Sequence, residues 1–206
     1  MNCRAMLHRH LVSLTPILLL LAGCQNASEE AGPSSDGVDL RGANIGGPFE
    51  LTDKNGKTVR WSDFAGKYRI VYFGYAFCPD ICPTDVQRMT QGLKQFAAEQ
   101  PALARRIQPL FITVDPERDT PAAVGEFAAA FSSDLIGLTG TRAQIDAAKA
   151  AFKVYASKGP VQPSGGYLMN HQNITYLFDP AGKPLGTLPT DKGPSAVAVE
   201  LARWVR

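Results

Sequence analysis

The stretch Arg69-Ile70-Val71-Tyr72-Phe73-Gly74-Tyr75-Ala76-Phe77-Cys78-Pro79-Asp80-Ile81-Cys82-Pro83 decides the fold. Its first half, Arg69 to Tyr75, is β-branched and aromatic with no polar alternation, the pattern of a strand covered on both faces. Beyond Pro83, the residues Val86, Met89, Leu93 and Phe96 recur at helical spacing. Proline is favoured in a helix's first turn, so Pro83 marks a start and Cys82 falls at the helix N-terminus. A buried strand that feeds a helix through a short loop belongs to an open α/β sheet, where functional loops sit at such switches.

Working outward, Pro109 to Val114 predicts a second strand and Pro121 to Phe131 a helix, with Asp119 or Thr120 as its N-cap. A further helix is predicted from Thr141 to Phe152. Ile174 to Phe178 and Pro184 to Leu188 flank Asp179-Pro180-Ala181-Gly182-Lys183 and predict a hairpin, followed by an amphipathic helix from Pro194 to Val205. Upstream, Phe49 to Thr52 and Thr58 to Trp61 flank Asn55-Gly56, a strong hairpin signal. A βαβ unit followed by helix, hairpin and helix predicts a thioredoxin-like α/β sandwich with a central mixed sheet and an added N-terminal β-hairpin.

The chain opens with Arg4 and Arg9 and an apolar run from Leu11 to Leu21. Crossing a membrane takes about 20 consecutive apolar residues, so this run is expected to be a secretory signal, residues 1–23, that is removed. It ends in Leu21-Ala22-Gly23-Cys24, which looks like a bacterial lipobox, with Cys24 expected to carry lipid and to anchor the protein on the extracytoplasmic, periplasmic side. Residues 24–43 are small and polar and read as a tether; residues 44–206 are expected to form one domain. With Arg4 and Arg9 gone, the 21 basic side chains fall to the same number as the 19 acidic ones. Such a balance excludes nucleic-acid binding, which needs a concentrated basic surface.

Cys3 leaves with the leader and Cys24 takes lipid, so Cys78 and Cys82 are the two thiols of the domain, and His171 is its one histidine. The helix N-terminus favours thiolate over thiol, and thiolate is the form that binds metal or attacks a disulfide. Two sulfurs alone leave those uses open. Thiolates favour Cu(I) and imidazole serves both oxidation states, so Cys78, Cys82 and His171 together suit copper; structural zinc ordinarily takes four protein ligands. Met169 would share a face with His171 in an extended segment and there offers a weak extra ligand, although core packing is the simpler use for it. Asp115 and Asp119, in Val114-Asp115-Pro116-Glu117-Arg118-Asp119-Thr120-Pro121, are accounted for by a solvated turn and a helix cap.

Phe73 to Pro83, Val114 to Pro121, and His171 followed by Tyr176-Leu177-Phe178-Asp179-Pro180 resemble, in this order, the three signatures of the Sco/SenC family. The resemblance implies a thioredoxin-like copper metallochaperone that helps assemble the CuA centre of cytochrome c oxidase. It assigns copper, Cu(I) or Cu(II), to Cys78, Cys82 and His171, and sets Asp115 and Asp119 as an auxiliary acidic pair near the site. The implied partners are the copper-accepting subunit of the oxidase and a periplasmic thiol reductant or copper donor. Asn170 departs from the family pattern, which commonly has aspartate before the histidine; a charge is lost there, but no ligand. The alternative is an enzyme, a thiol-disulfide reductase using Cys78 and Cys82 as a redox dithiol to keep the oxidase's copper-ligand cysteines reduced. A copper-dependent redox sensor is a third reading. A peroxidase is a weaker one, because a second cysteine four residues on would trap a sulfenate as a disulfide.

Overall fold

The computed structural model describes residues 36–163 and 165–206; the expected leader, Cys24 and most of the expected tether lie outside the described residues. Strands β1 (Glu50–Thr52) and β2 (Thr58–Arg60) form the N-terminal hairpin, with Gly56 at φ +76° in its turn. A left-handed backbone there requires a residue without Cβ, which is why the Asn-Gly signal is legible in sequence. The central strand β3 (Tyr68–Gly74) is buried at every position and leads through the cysteine loop into α1 (Ile81–Glu99). The helix begins two residues before Pro83, which occupies its first turn. A short α2 (Pro101–Ala104) then turns the chain into β4 (Ile107–Thr113).

Helix α3 (Pro121–Ala129) is capped by Thr120, whose hydroxyl accepts from the Ala123 amide, and not by Asp119. After β5 (Ile136–Leu138), helix α4 (Arg142–Phe152) opens on a Thr141/Gln144 capping box. The sequence reading does not contain β5, nor the hairpin β6 (Ala156–Val161) and β7 (Tyr167–His171). The predicted second hairpin is β8 (Thr175–Phe178) and β9 (Pro184–Leu188), and α5 (Pro194–Trp204) closes the chain.

The five-stranded sheet runs β5-β4-β3-β8-β9, parallel through β5, β4 and β3 and antiparallel beyond. On one face, Tyr72 and Phe111 stack and are met by Asp85 of α1 and Phe127 of α3. On the other, Phe73 and Phe178 meet Phe152 of α4, and Phe49 and Trp61 from the N-terminal hairpin complete an aromatic cluster. Helices α1 and α5 pack tightly through Gly92, where a Cβ would lie 2.6 Å from the Cβ of Val197. Residues 38–40, which the sequence reading leaves in the tether, cover the β9 edge: Leu40 donates to Leu185 O at 3.0 Å and Thr187 to Val38 O at 2.9 Å. An uncovered edge strand would expose unpaired backbone groups.

The hairpin β6–β7 is a separate two-stranded sheet. Its inward residues, Tyr167, Met169 and His171, are half-buried, whereas Leu168 and Asn170 are exposed. This alternation brings His171 over the cysteine loop.

Candidate metal centre

Three elements supply the site. Cys78 sits in the loop after β3, its amide donating to Tyr75 O at 3.2 Å. Cys82, wholly buried, is the second residue of α1, and His171 ends β7. Their ligand atoms all lie within 4.8 Å of one another, and among the described residues this is the one such group of histidine, cysteine and carboxylate side chains. The two sulfurs are not joined as a disulfide.

The imidazole orientation follows from its hydrogen bonds. His171 Nδ1 lies 2.9 Å from Gln172 O, and a carbonyl can only accept, so Nδ1 carries the proton. The other ring nitrogen, Nε2, faces Cys82 Sγ at 3.2 Å. Metal-ligating histidines ordinarily use this device, one nitrogen held by a carbonyl and the other presented to the metal. The rings of Tyr72 and Tyr75 meet the imidazole edge-on, with centroids 6.5 and 5.7 Å away.

The two thiols divide their roles. Cys78 is held down at about 3, first by the hydrogen bond from Cys82, then, against the opposing effect of burial, by His171 and the amides of Asp80 and Cys82. The Cys82 amide reaches Cys78 Sγ at 3.4 Å from the first turn of α1. Cys82 is pushed up, because its proton is shared with Cys78 and because it is buried. Two sulfurs, one a thiolate and one a thiol, and one imidazole nitrogen thus face a common point, and the residues present fit a soft, low-coordinate metal such as copper. Gly74 makes room for this packing: a Cβ there would lie 3.1 Å from Cys82 Sγ and 2.8 Å from the Tyr72 ring.

Asp115 and Asp119 lie outside the ligand group and are buried, not solvated. Asp119 Oδ2 accepts from the Ala76 amide at 2.8 Å and from the Thr113 hydroxyl at 2.6 Å, tying the cysteine loop to the end of β4. Burial is the first cause of its raised pKa. Asp115 accepts from Arg118 Nε at 2.5 Å and from the Tyr167 hydroxyl at 3.0 Å. Met169 packs on the core.

Sequence reasoning missed several supporting groups. Tyr72 donates to Asp85 Oδ2 at 3.2 Å and also bonds Cys82, so a chain of buried polar groups runs under the site. Asp85 stands one turn after Cys82 on the buried face of α1, and a carboxylate at that apolar register was the available signal. Tyr75 bonds Cys78 and takes the Met169 amide, and nothing local announces it.

A thioredoxin-like α/β sandwich carrying two cysteines and a histidine around one point defines a class of metal-binding or redox proteins. The comparisons narrow it. The SCO1/SenC family model matches residues 38–206, and the chain belongs to that family. It is 34% identical over 190 residues to the mitochondrial SCO1 homolog of Homo sapiens, covering 91% of this chain and 62% of that protein. Against the copper-bound structure of Bradyrhizobium japonicum ScoI the identity is 37% and the TM-score 0.70, covering 78% of this chain and 99% of that one. Copper-bound yeast Sco1 gives 34% and 0.71, covering 78% and 88%. The chain spans about half to three-fifths of the length of the first curated relatives.

Proposed function

We propose that this protein is a copper metallochaperone that holds one copper ion between Cys78, Cys82 and His171 and passes it to the copper-accepting subunit of cytochrome c oxidase during CuA assembly. The observation that carries the reading is the imidazole Nε2 placed 3.2 Å from Cys82 Sγ, with the other ring nitrogen tied to the Gln172 carbonyl. Disulfide exchange needs only the two sulfurs. Family membership and the copper-bound relatives support the same choice of metal.

Copper is cargo here. Cys78 is the pre-formed thiolate that receives it, His171 Nε2 supplies the nitrogen ligand, and Cys82 joins by giving up its proton. Three ligands leave the metal open to an incoming thiolate, so ligands can be exchanged one at a time without releasing the ion. The expected setting is extracytoplasmic, with an acylated Cys24 holding the domain at a membrane surface through its tether and a thiol reductant or copper donor as further partners. No helix among the described residues is long and apolar enough to cross a membrane.

The contrast between a thiolate Cys78 and a buried thiol Cys82 favours a second reading, a thiol-disulfide reductase. Cys78 would attack a disulfide sulfur and expel one thiolate; Cys82 would then displace the second, leaving Cys78 and Cys82 oxidised for an external thiol to reduce. His171→Ala separates the two. A metallochaperone should lose Cu(II) binding and oxidase maturation in cells at limiting copper, whereas a reductase should keep its exchange chemistry. Full oxidase activity from His171→Ala would overturn copper delivery and leave the reductase.

A further inference from the structure

Arg118 joins the cysteine loop, the acidic segment after β4 and strand β7. Its Nε donates to Asp115 Oδ2 at 2.5 Å and its Nη1 to the backbone carbonyl of Tyr167 at 2.8 Å, on the strand that ends in His171. The guanidinium lies 3.7 Å from the Tyr167 ring centroid and 5.6 Å from those of Tyr75 and Phe77, which shortly precede Cys78 in the chain. Tyr167 closes the clamp by donating its hydroxyl to Asp115 Oδ1 at 3.0 Å, so each oxygen of that buried carboxylate is taken by one partner.

The clamp matters because the hairpin that carries His171 is not a member of the central sheet. A lone two-stranded hairpin is marginal in water and takes its position from what it packs on. His171 follows Tyr167 by four residues on the same inward face, about 13 Å along the strand at ~3.3 Å per residue. Gln172 is bound to Tyr155 at the ligand end, through Gln172 N to Tyr155 O at 3.2 Å and Tyr155 N to Gln172 Oε1 at 2.8 Å, but those bonds lie within the hairpin region itself. At the far end, Arg118 ties β7 to the carboxyl end of β4 and to the cysteine loop.

We propose that Arg118 is a positioning residue: by clamping β7 to Asp115 and to the aromatic rings beside Cys78, it holds His171 within ligand distance of the two sulfurs. The inference rests on the copper reading of the site, and it gives Asp115 the task of anchoring the arginine. Lysine cannot replace it, since one ammonium cannot make both directed bonds and lie flat on a ring.

The test uses the full-length protein as wild type, Arg118→Ala, Arg118→Lys and Tyr167→Phe, with Arg142→Ala, which breaks only a surface pair with Glu117, as control. Hydrogen exchange without metal should be at least about tenfold faster in β6–β7 of Arg118→Ala, with β3 and β4 unchanged. Cu(II) titration should show about a 10–100-fold loss of affinity and a weakened nitrogen coupling from His171 in the electron paramagnetic resonance spectrum, Cu(I) binding falling less. Arg118→Lys should follow Arg118→Ala, and Tyr167→Phe should lie between it and wild type. A wild-type nitrogen signal and Cu(II) affinity in Arg118→Ala would overturn the proposal. So would exchange accelerated evenly over the whole domain, which marks a general structural role. If Arg118→Ala does not fold, Arg118→Lys and Tyr167→Phe decide by the same criteria. Should wild type bind no copper, the copper reading fails, and the exchange arm still judges the clamp.

Discussion

Replacing Asp119 by alanine removes the side-chain hydrogen bonds that tie the cysteine loop to the end of β4. The carboxylate is fully buried, and a single oxygen accepts both the Ala76 amide at 2.8 Å and the Thr113 hydroxyl at 2.6 Å. Leaving a buried donor unpaired costs about 1–3 kcal/mol, and two are orphaned, so the gross loss is about 2–6 kcal/mol. Part of that is returned, because burial already raises the pKa of Asp119 and a buried carboxyl is removed with it. A net destabilisation of about 2–4 kcal/mol is expected from these opposing effects. Ala76 precedes Cys78 by two residues, so the folded variant should also hold copper about tenfold more weakly, as when a group supporting a ligand is lost. Asparagine keeps an acceptor for both donors and should be the milder change. Denaturant unfolding of the metal-free protein measures the first quantity and competition against a Cu(I) chelator the second. A variant within about 0.5 kcal/mol of wild type, the size of an ordinary surface change, and with unaltered copper affinity would refute the reasoning.

Asp85 offers a pH test. Burial raises its folded pKa above the unfolded value, so its contribution to stability is full below the unfolded pKa of 3.8 and is lost as pH rises through the folded pKa. Asp85→Asn should therefore flatten the fall in stability above about pH 4, seen by unfolding at a series of pH values, and an unchanged slope would count against the buried carboxyl. Gly92→Ala should destabilise by about 1–3 kcal/mol through overpacking against Val197, lowering the melting temperature by about 2–4 °C per kcal/mol; a higher melting temperature would mean that α1 and α5 separate freely. Cys24→Ala should release the protein from membranes on fractionation, and unchanged membrane association would sink the lipid-anchor proposal.

Local chemistry made much of this protein legible in its sequence. Asn55-Gly56 demands a turn that few other residue pairs tolerate, and the apolar run through β3 has no polar face to give to water. Pro83 and the Val86, Met89, Phe96 repeat mark α1, which puts Cys82 in its first turn whatever the rest of the chain does. The two cysteines and the histidine could be named because no other thiol or imidazole belongs to the domain.

Everything that depended on distant partners was decided by tertiary structure. Strand β5 has three residues, too few for a period, and β6–β7 shows no clean alternation: Tyr167, Met169 and His171 face inward, while Leu168 and Val161 are left in water. Asp85, Asp115 and Asp119 look like surface charges because carboxylates ordinarily are, and their burial follows from donors and from Arg118 supplied by other segments. Which sulfur holds the negative charge could not be read from a symmetrical Cys-X3-Cys. It is set by the α1 amide, by His171 arriving from 89 residues further along the chain, and by the deeper burial of Cys82, all of which exist only once the sheet has assembled.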